Sequence, residues 1–156
     1  ADKIHIAFKP HPTLYRTLCE PPDWGREKTE AYYRLWATMP NAQIEKGEYR
    51  ELFWESDAMI HDCGSFIIEY PIVNKPCLYM QRGSEYGDFS EFARAALDCY
   101  TIGKSVEDIE KFITEQVLQE QDPKREERKM FIQQYLAPVG GKTAAENIIE
   151  SILTTN

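Results

Sequence analysis

A chain of 156 residues and 18.2 kDa is long enough for one ordinary domain with a real core and too short for two. Eighteen Lys plus Arg against 26 Asp plus Glu leave a formal charge of −8 and a pI near 4.9, so DNA, RNA and anionic membranes are poor partners. With 42% hydrophobic and 28% charged residues the composition excludes disorder as the dominant state, and no apolar run approaches the roughly 20 residues of a spanning helix.

The predicted elements alternate between short strands and helices. Ile4, Ile6 and Phe8 alternate with His5 and Ala7 as a strand ending at Pro10, and a proline-rich loop is expected from Pro10 to Pro22. Trp24 to Met39 reads as a helix with Tyr32, Leu35, Trp36 and Met39 on one face, stopped by Pro40. Ala42 to Glu45 is a weak strand, Tyr49 to Phe53 a short amphipathic helix, and Ala58 to His61 a compact strand. A turn over Asp62 to Ser65 leads into a helix from Phe66 to Val73 that Pro71 breaks or bends, and Cys77 to Met80 is the next strand. After a charged, glycine-containing stretch come a helix near Phe89 to Leu97 and a strand at Cys99 to Ile102.

The rest is helical. Ser105 is an N-cap with Asp108 three residues on, followed by the stripe Val106, Ile109, Phe112, Ile113, Val117. Pro123 opens a charged helix to about Leu136, in which Asp122 to Lys129 reads as a solvated face. A last helix runs from Lys142 to Leu153. Gly140-Gly141-Lys142-Thr143 ends like a phosphate-binding loop, but Leu136 stands where the first glycine belongs, so a helix stop and restart is expected. Strands alternating with helices predict an α/β fold, a Rossmann-like parallel sheet with helices on both faces over the single domain 1–156. Ligands in such sheets sit beyond the carboxyl ends of the strands.

Those ends hold the candidate residues. Lys9-Pro10-His11-Pro12 fixes an imidazole between two prolines, suited to donating to a phosphate oxygen with charge from Lys9 and Arg16, or to capping a neighbouring carbonyl. Asp62-Cys63-Gly64-Ser65 turns into a helix whose first N–H groups, at Gly64, Ser65 and Phe66, with the Ser65 hydroxyl, make a phosphate cradle. A plain N-cap at Ser65 fits equally. Glu69, one turn on, suits a ribose diol or simply the helix N-terminus. Arg82 follows the Cys77 to Met80 strand and is placed to touch a ligand, although a solvated arginine is the favoured reading. His5, His11 and His61 match no zinc spacing, so no metal and no cofactor are expected. Cys19, Cys63, Cys77 and Cys99 form no C-x-x-C pair and are expected as reduced, packed thiols.

Taken together, K-P-H-P at Lys9 to Pro12, S-D-x-x-I-x-D-x-x-S at Ser56 to Ser65, E-Y-x-x-x-x-K-P at Glu69 to Pro76 and G-K-x-A-x-x-x-I-x-x-x-I-L at Gly141 to Leu153 give the chain its resemblance. From about Ile4 to Leu153 it resembles the C-terminal half of the CDP-glycerol glycerophosphotransferase family, transferases of teichoic acid and surface polymer synthesis. The resemblance implies the donor-binding Rossmann-like half of a two-domain GT-B enzyme, a fragment inactive without its N-terminal acceptor domain. The implied partner is a nucleotide-activated donor, CDP-glycerol or a nucleotide-sugar. It implies that His11 contacts the donor phosphate, that Ser65 and the turn amides hold the diphosphate, and that Asp62 shapes the turn. Glu69 stands where the family usually has an acid. The family commonly reads D-Y-S-S where this chain reads D-C-G-S, so Gly64 lacks one hydroxyl, and Lys9 replaces a common arginine. Residues 82–100 match poorly. The implied location is cytoplasmic, at the inner face of the membrane through the full-length parent, with no membrane insertion by this segment. A UDP-sugar-binding half of an epimerase-like or sugar transferase enzyme, and a non-catalytic nucleotide-binding or interaction module, remain open alternatives.

Overall fold

A computed structural model describes residues 4–83 and 89–154. The described chain is α/β, with parallel strands in two sheets flanked by helices, as in Rossmann-like folds. It divides after Leu52 into two compact units.

In the first unit β1 (Ile6–Phe8) runs parallel to β2 (Ala42–Ile44), with Ile6 opposite Ala42 and Phe8 opposite Ile44. Between them lie α1 (Leu14–Cys19) and α2 (Arg26–Thr38). The expected loop from Pro10 to Pro22 thus contains a helix. Its prolines all fall outside Leu14–Cys19, where they bound a helix rather than break one. The packed face of α2 is also one position away from the expected one. Phe8 stacks on Trp36 at 4.7 Å and meets Tyr32 and Tyr33 edge-on, and Thr29 is fully buried, whereas Leu35 is 56% exposed. Thr29 completes the i, i+3, i+4, i+7 stripe by donating its hydroxyl to the Gly25 carbonyl at 2.8 Å, which lets a polar residue serve as core.

α3 (Tyr49–Glu55) leads into the second unit, where β3 (Met59–His61), β4 (Cys77–Met80) and β5 (Thr101–Gly103) form a sheet in the order β3-β4-β5. Its centre, Cys77 to Tyr79, is almost wholly buried. Helices cover both faces. Tyr100 donates its hydroxyl to the carbonyls of Phe66 and Ile67 in α4 (Phe66–Glu69), and α5 (Glu91–Leu97) packs on α4 and on α7 (Arg125–Phe131). Thr101, on the opposite face of the strand, bonds Gln116 in the helix that begins as α6 (Val106–Lys111) and widens to π geometry over Phe112–Leu118.

α4 passes into a 3₁₀ turn at Tyr70–Val73, as Pro71 predicts. Ser105 and Asp108 form the expected capping box, while Val106, at the helix start, is 66% exposed. Between Asp122 and Lys129 the residues Arg125, Glu126 and Lys129 are solvated as expected, but Arg128 is 1% exposed and pairs with Asp122, donating also to Asn74 Oδ1 at 3.3 Å and to the Cys99 carbonyl. Sign alternation marks exposed helices in general, but here the guanidinium ties α7 to the turn before β4 and to the residue before Tyr100.

Gly140 and Gly141 take positive φ, +64° and +73°, to stop one helix, and Thr143 with Glu146 caps α8 (Ala144–Thr154). The expected stop and restart is what this loop is. The four cysteines are free thiols; Cys77 and Cys99 are buried, and burial pushes the Cys99 thiol up to about 11. The charged stretch expected before α5 falls partly at 84–88, outside the described residues. Among those described, no helix is long and apolar enough to cross a membrane.

Candidate functional site

Each unit presents candidate residues at the carboxyl end of a strand. In the first, β1 ends at Phe8 and delivers Lys9 and His11. His11 is exposed, and its Nδ1 accepts from the Thr13 amide at 3.2 Å and lies 2.8 Å from the Thr13 hydroxyl oxygen. With Nδ1 engaged as an acceptor the ring proton resides on Nε2, so the imidazole presents an N–H donor away from its own loop. The Leu14 amide donates to the His11 carbonyl at 2.9 Å and holds the residue in place from behind. Lys9 Nζ donates to the Gly47 carbonyl at 2.5 Å, which engages one of the ammonium's three hydrogens. Arg16 lies exposed in α1.

In the second unit β3 ends at His61 and the turn Asp62 to Ser65 leads into α4. Ser65 already has helical φ and ψ, −67° and −37°, and its hydroxyl caps no amide of α4. The reading of Ser65 as a plain N-cap is thereby corrected. Its Oγ instead meets Cys63 Sγ at 3.2 Å on the exposed side of the turn. Gly64 has nothing within 4 Å of where a Cβ would stand, so nothing around the turn demands glycine. Phe66 packs its ring edge-on to Phe53 at 5.1 Å, and Glu69 closes α4.

The buried side of the turn is held by His61, which sequence reasoning passed over as a strand residue. Its Nδ1 accepts from the Cys63 amide at 3.2 Å, and its ring lies among Phe66, Tyr79 and Tyr100 with Nε2 buried and unpartnered. Burial holds this imidazole neutral, down to about 4. The alternation of Met59 and His61 on one strand face was the available signal.

Beyond the ends of β3, β4 and β5 is an open cleft of about 540 Å³, lined among others by His61, Asp62, Gln81, Arg82 and Lys104. Arg82 is solvated, with its side chain 75% exposed, and its guanidinium pairs with the Asp62 carboxylate across the two strand ends. Among the described residues, no group of three or more His, Cys, Asp or Glu side chains converges as a metal site.

Several residues of the sequence motifs turn out to build the frame. Lys75 donates to the carbonyls of Phe53, Trp54 and Ser56, at 3.3, 2.5 and 2.5 Å, and so closes the C-terminus of α3 with a cation. Tyr70, fully buried, meets Ser56 Oγ at 3.3 Å. The S-D, E-Y and K-P pairs therefore meet at the end of α3, immediately before the strand that carries the turn.

The model of the CDP-glycerol:poly(glycerophosphate) glycerophosphotransferase family matches residues 1–154. No curated protein and no solved structure matches the chain.

Proposed function

Since the chain belongs to the CDP-glycerol:poly(glycerophosphate) glycerophosphotransferase family, we propose that it is the nucleotide-donor-binding part of a transferase of surface polymer synthesis. On this reading the phosphates of a CDP-glycerol-like donor are contacted by His11 Nε2–H, with Lys9 adding charge, and by the Ser65 hydroxyl with the amides of Gly64, Ser65 and Phe66. Asp62 shapes the turn and Glu69 receives the ribose diol.

The chemistry follows from where charge develops. The acceptor oxygen forms a bond to the distal phosphorus, the bridging P–O bond breaks, and its electron pair goes to the departing nucleoside monophosphate. Fixed donors aimed at that oxygen lower the barrier because they need no reorganisation as the charge grows. The acceptor's proton passes to a base that we assign to an acceptor domain outside this chain, so the chain by itself binds donor and turns over little. The observation that carries the reading is the family match along residues 1–154, supported by the engagement of His11 Nδ1 with Thr13, which commits the opposite nitrogen to donation.

Calorimetric titration with CDP, UDP, GDP and CDP-glycerol tests it. Cytidine-selective binding is expected, weakened about tenfold by His11→Ala and by Ser65→Ala, about 1.4 kcal/mol each, the range of a hydrogen bond to a charged group. UDP selectivity would move the donor to a UDP-sugar, and absence of binding at millimolar nucleotide would overturn the reading for this chain.

A further inference from the structure

The cleft beyond the second sheet contains more positive charge than the proposed phosphate cradle uses. Its wall is built by register. The last β4–β5 pair is Met80 opposite Gly103, and the Gln81 amide donates to the Gly103 carbonyl at 2.8 Å, so Arg82 and Lys104 both emerge just past the end of the ladder. Gly103 keeps this strand end close-packed: a Cβ would stand 3.0 Å from Met80 Sδ and 3.1 Å from a Leu78 methyl, so those side chains would have to shift to admit one. The Asp108 carboxylate of the α6 capping box accepts from the amides of both Lys104 and Ser105, at 2.8 and 3.1 Å. The Lys104 backbone is therefore fixed at the strand end. Its ammonium has no hydrogen-bond or ion-pair partner among the described residues.

Arg82 is differently placed. Its partner Asp62 opens the turn that leads to Ser65, and both side chains of the pair are substantially exposed, 75% and 40%. A solvated pair of this kind contributes little by itself, so a dianionic ligand that offers the guanidinium two oxygens competes with the carboxylate successfully. In a chain of net charge −8, two cations converging on one strand-end cleft are also not what a uniform surface would supply.

We propose that Arg82 and Lys104 form a second anion subsite, taking the distal phosphate of a nucleoside diphosphate donor, and that Asp62 is the resident counter-ion from which Arg82 is released on binding. The subsite rests on the donor-binding reading above and adds to it the residues that would hold the transferred phosphoryl group. Arg82 then has two discrete partners, the Asp62 carboxylate without ligand and phosphate oxygens with it. Lys104 is a fixed positive charge in both states.

The probes are inorganic pyrophosphate and CDP, titrated calorimetrically against the protein and against Arg82→Gln, Lys104→Gln, Asp62→Asn and Asp62→Asn with Arg82→Gln. Both cation variants are expected to weaken pyrophosphate and CDP about tenfold. Asp62→Asn is expected to tighten both about threefold, and to lose that effect when Arg82 is already glutamine. Arg82→Lys and Lys104→Arg, which keep charge, should restore most of the binding. CDP binding that all these variants leave unchanged overturns the subsite and leaves the donor reading standing. Pyrophosphate binding that depends on Arg82 and Lys104, without any preference for CDP over pyrophosphate, supports the subsite and overturns the nucleotide reading. Binding of neither probe overturns both. An Asp62→Asn variant that binds more weakly, equally with and without Arg82, overturns the release of Arg82 and assigns Asp62 to the turn alone.

Discussion

At the scale of single residues, the turn that leads to Ser65 depends on an imidazole that must stay neutral. Protonated His61 would place a proton on Nδ1, against the Cys63 amide that it now accepts from, and a charge among Phe66, Tyr79 and Tyr100. Its folded value of about 4 lies below the ordinary 6.5, so between those values the unfolded chain binds the proton and the folded one does not. The resulting stabilisation is complete above pH 6.5 and is lost as pH falls towards 4, by roughly 3 kcal/mol for a shift of this size. Urea unfolding at pH 7 and pH 4 should therefore show the parent losing about that much more stability than His61→Phe, which carries no titrating ring. Parallel losses in the two proteins would mean that the ring is not held neutral. In the sequence only the strand alternation that puts His61 on the face of Met59 hints at this, since neither the ring's neighbours nor its bond to the turn are local.

At the scale of elements, capping, proline and strand alternation were legible because they act over three or four residues. The boxes at Ser105 with Asp108 and at Thr143 with Glu146, the break at Pro71 and the strand Cys77–Met80 all stand where local chemistry puts them. The faces that helices bury were less legible, because the partner decides them: α2 turns Thr29 rather than Leu35 inward, on the side where Tyr32, Tyr33 and Trp36 meet Phe8. The π turns at Phe112–Leu118 and Ile132–Leu136 leave no periodic trace in the chain. The most buried of the ion pairs seen among the described residues is Arg128 with Asp122, both side chains under 5% exposed. Arg128→Met should destabilise by about 3 to 5 kcal/mol because it leaves the buried Asp122 carboxylate with only the more distant Arg125 guanidinium at 3.6 Å and the Lys124 amide, and Asp122→Asn added to it should recover part of the loss. Equilibrium urea unfolding of the single and double variants measures this, and an unchanged single variant would show that the pair is not buried in solution.

At the scale of the whole molecule, hydrophobicity and burial part company. The last helix has the most regular apolar stripe in the chain, yet Ile148, Ile149, Ile152 and Leu153 are 57 to 70% exposed, while Leu78 in β4 is fully buried. Ile152→Ser is accordingly expected to change stability by less than about 0.5 kcal/mol. Leu78→Ala should cost about 2 to 5 kcal/mol, from lost burial and the cavity left between the helix layers. Comparable losses in both would place α8 within the cooperative core.

By itself the sequence determined the alternation of strands and helices, the strand-end positions of His11 and of the Asp62 to Ser65 turn, and the family, because all of these follow from short-range patterns and their order along the chain. Only the tertiary structure decided that Arg82 meets Asp62, that Lys104 shares their cleft, that Lys75 closes α3 and that Arg128 is buried. Each of these joins residues brought together by parallel strand register or by packing across the sheet. The physical reason is one of range: propensity and capping are settled by neighbours in sequence, whereas the partner of a charge is settled by which elements the fold sets side by side.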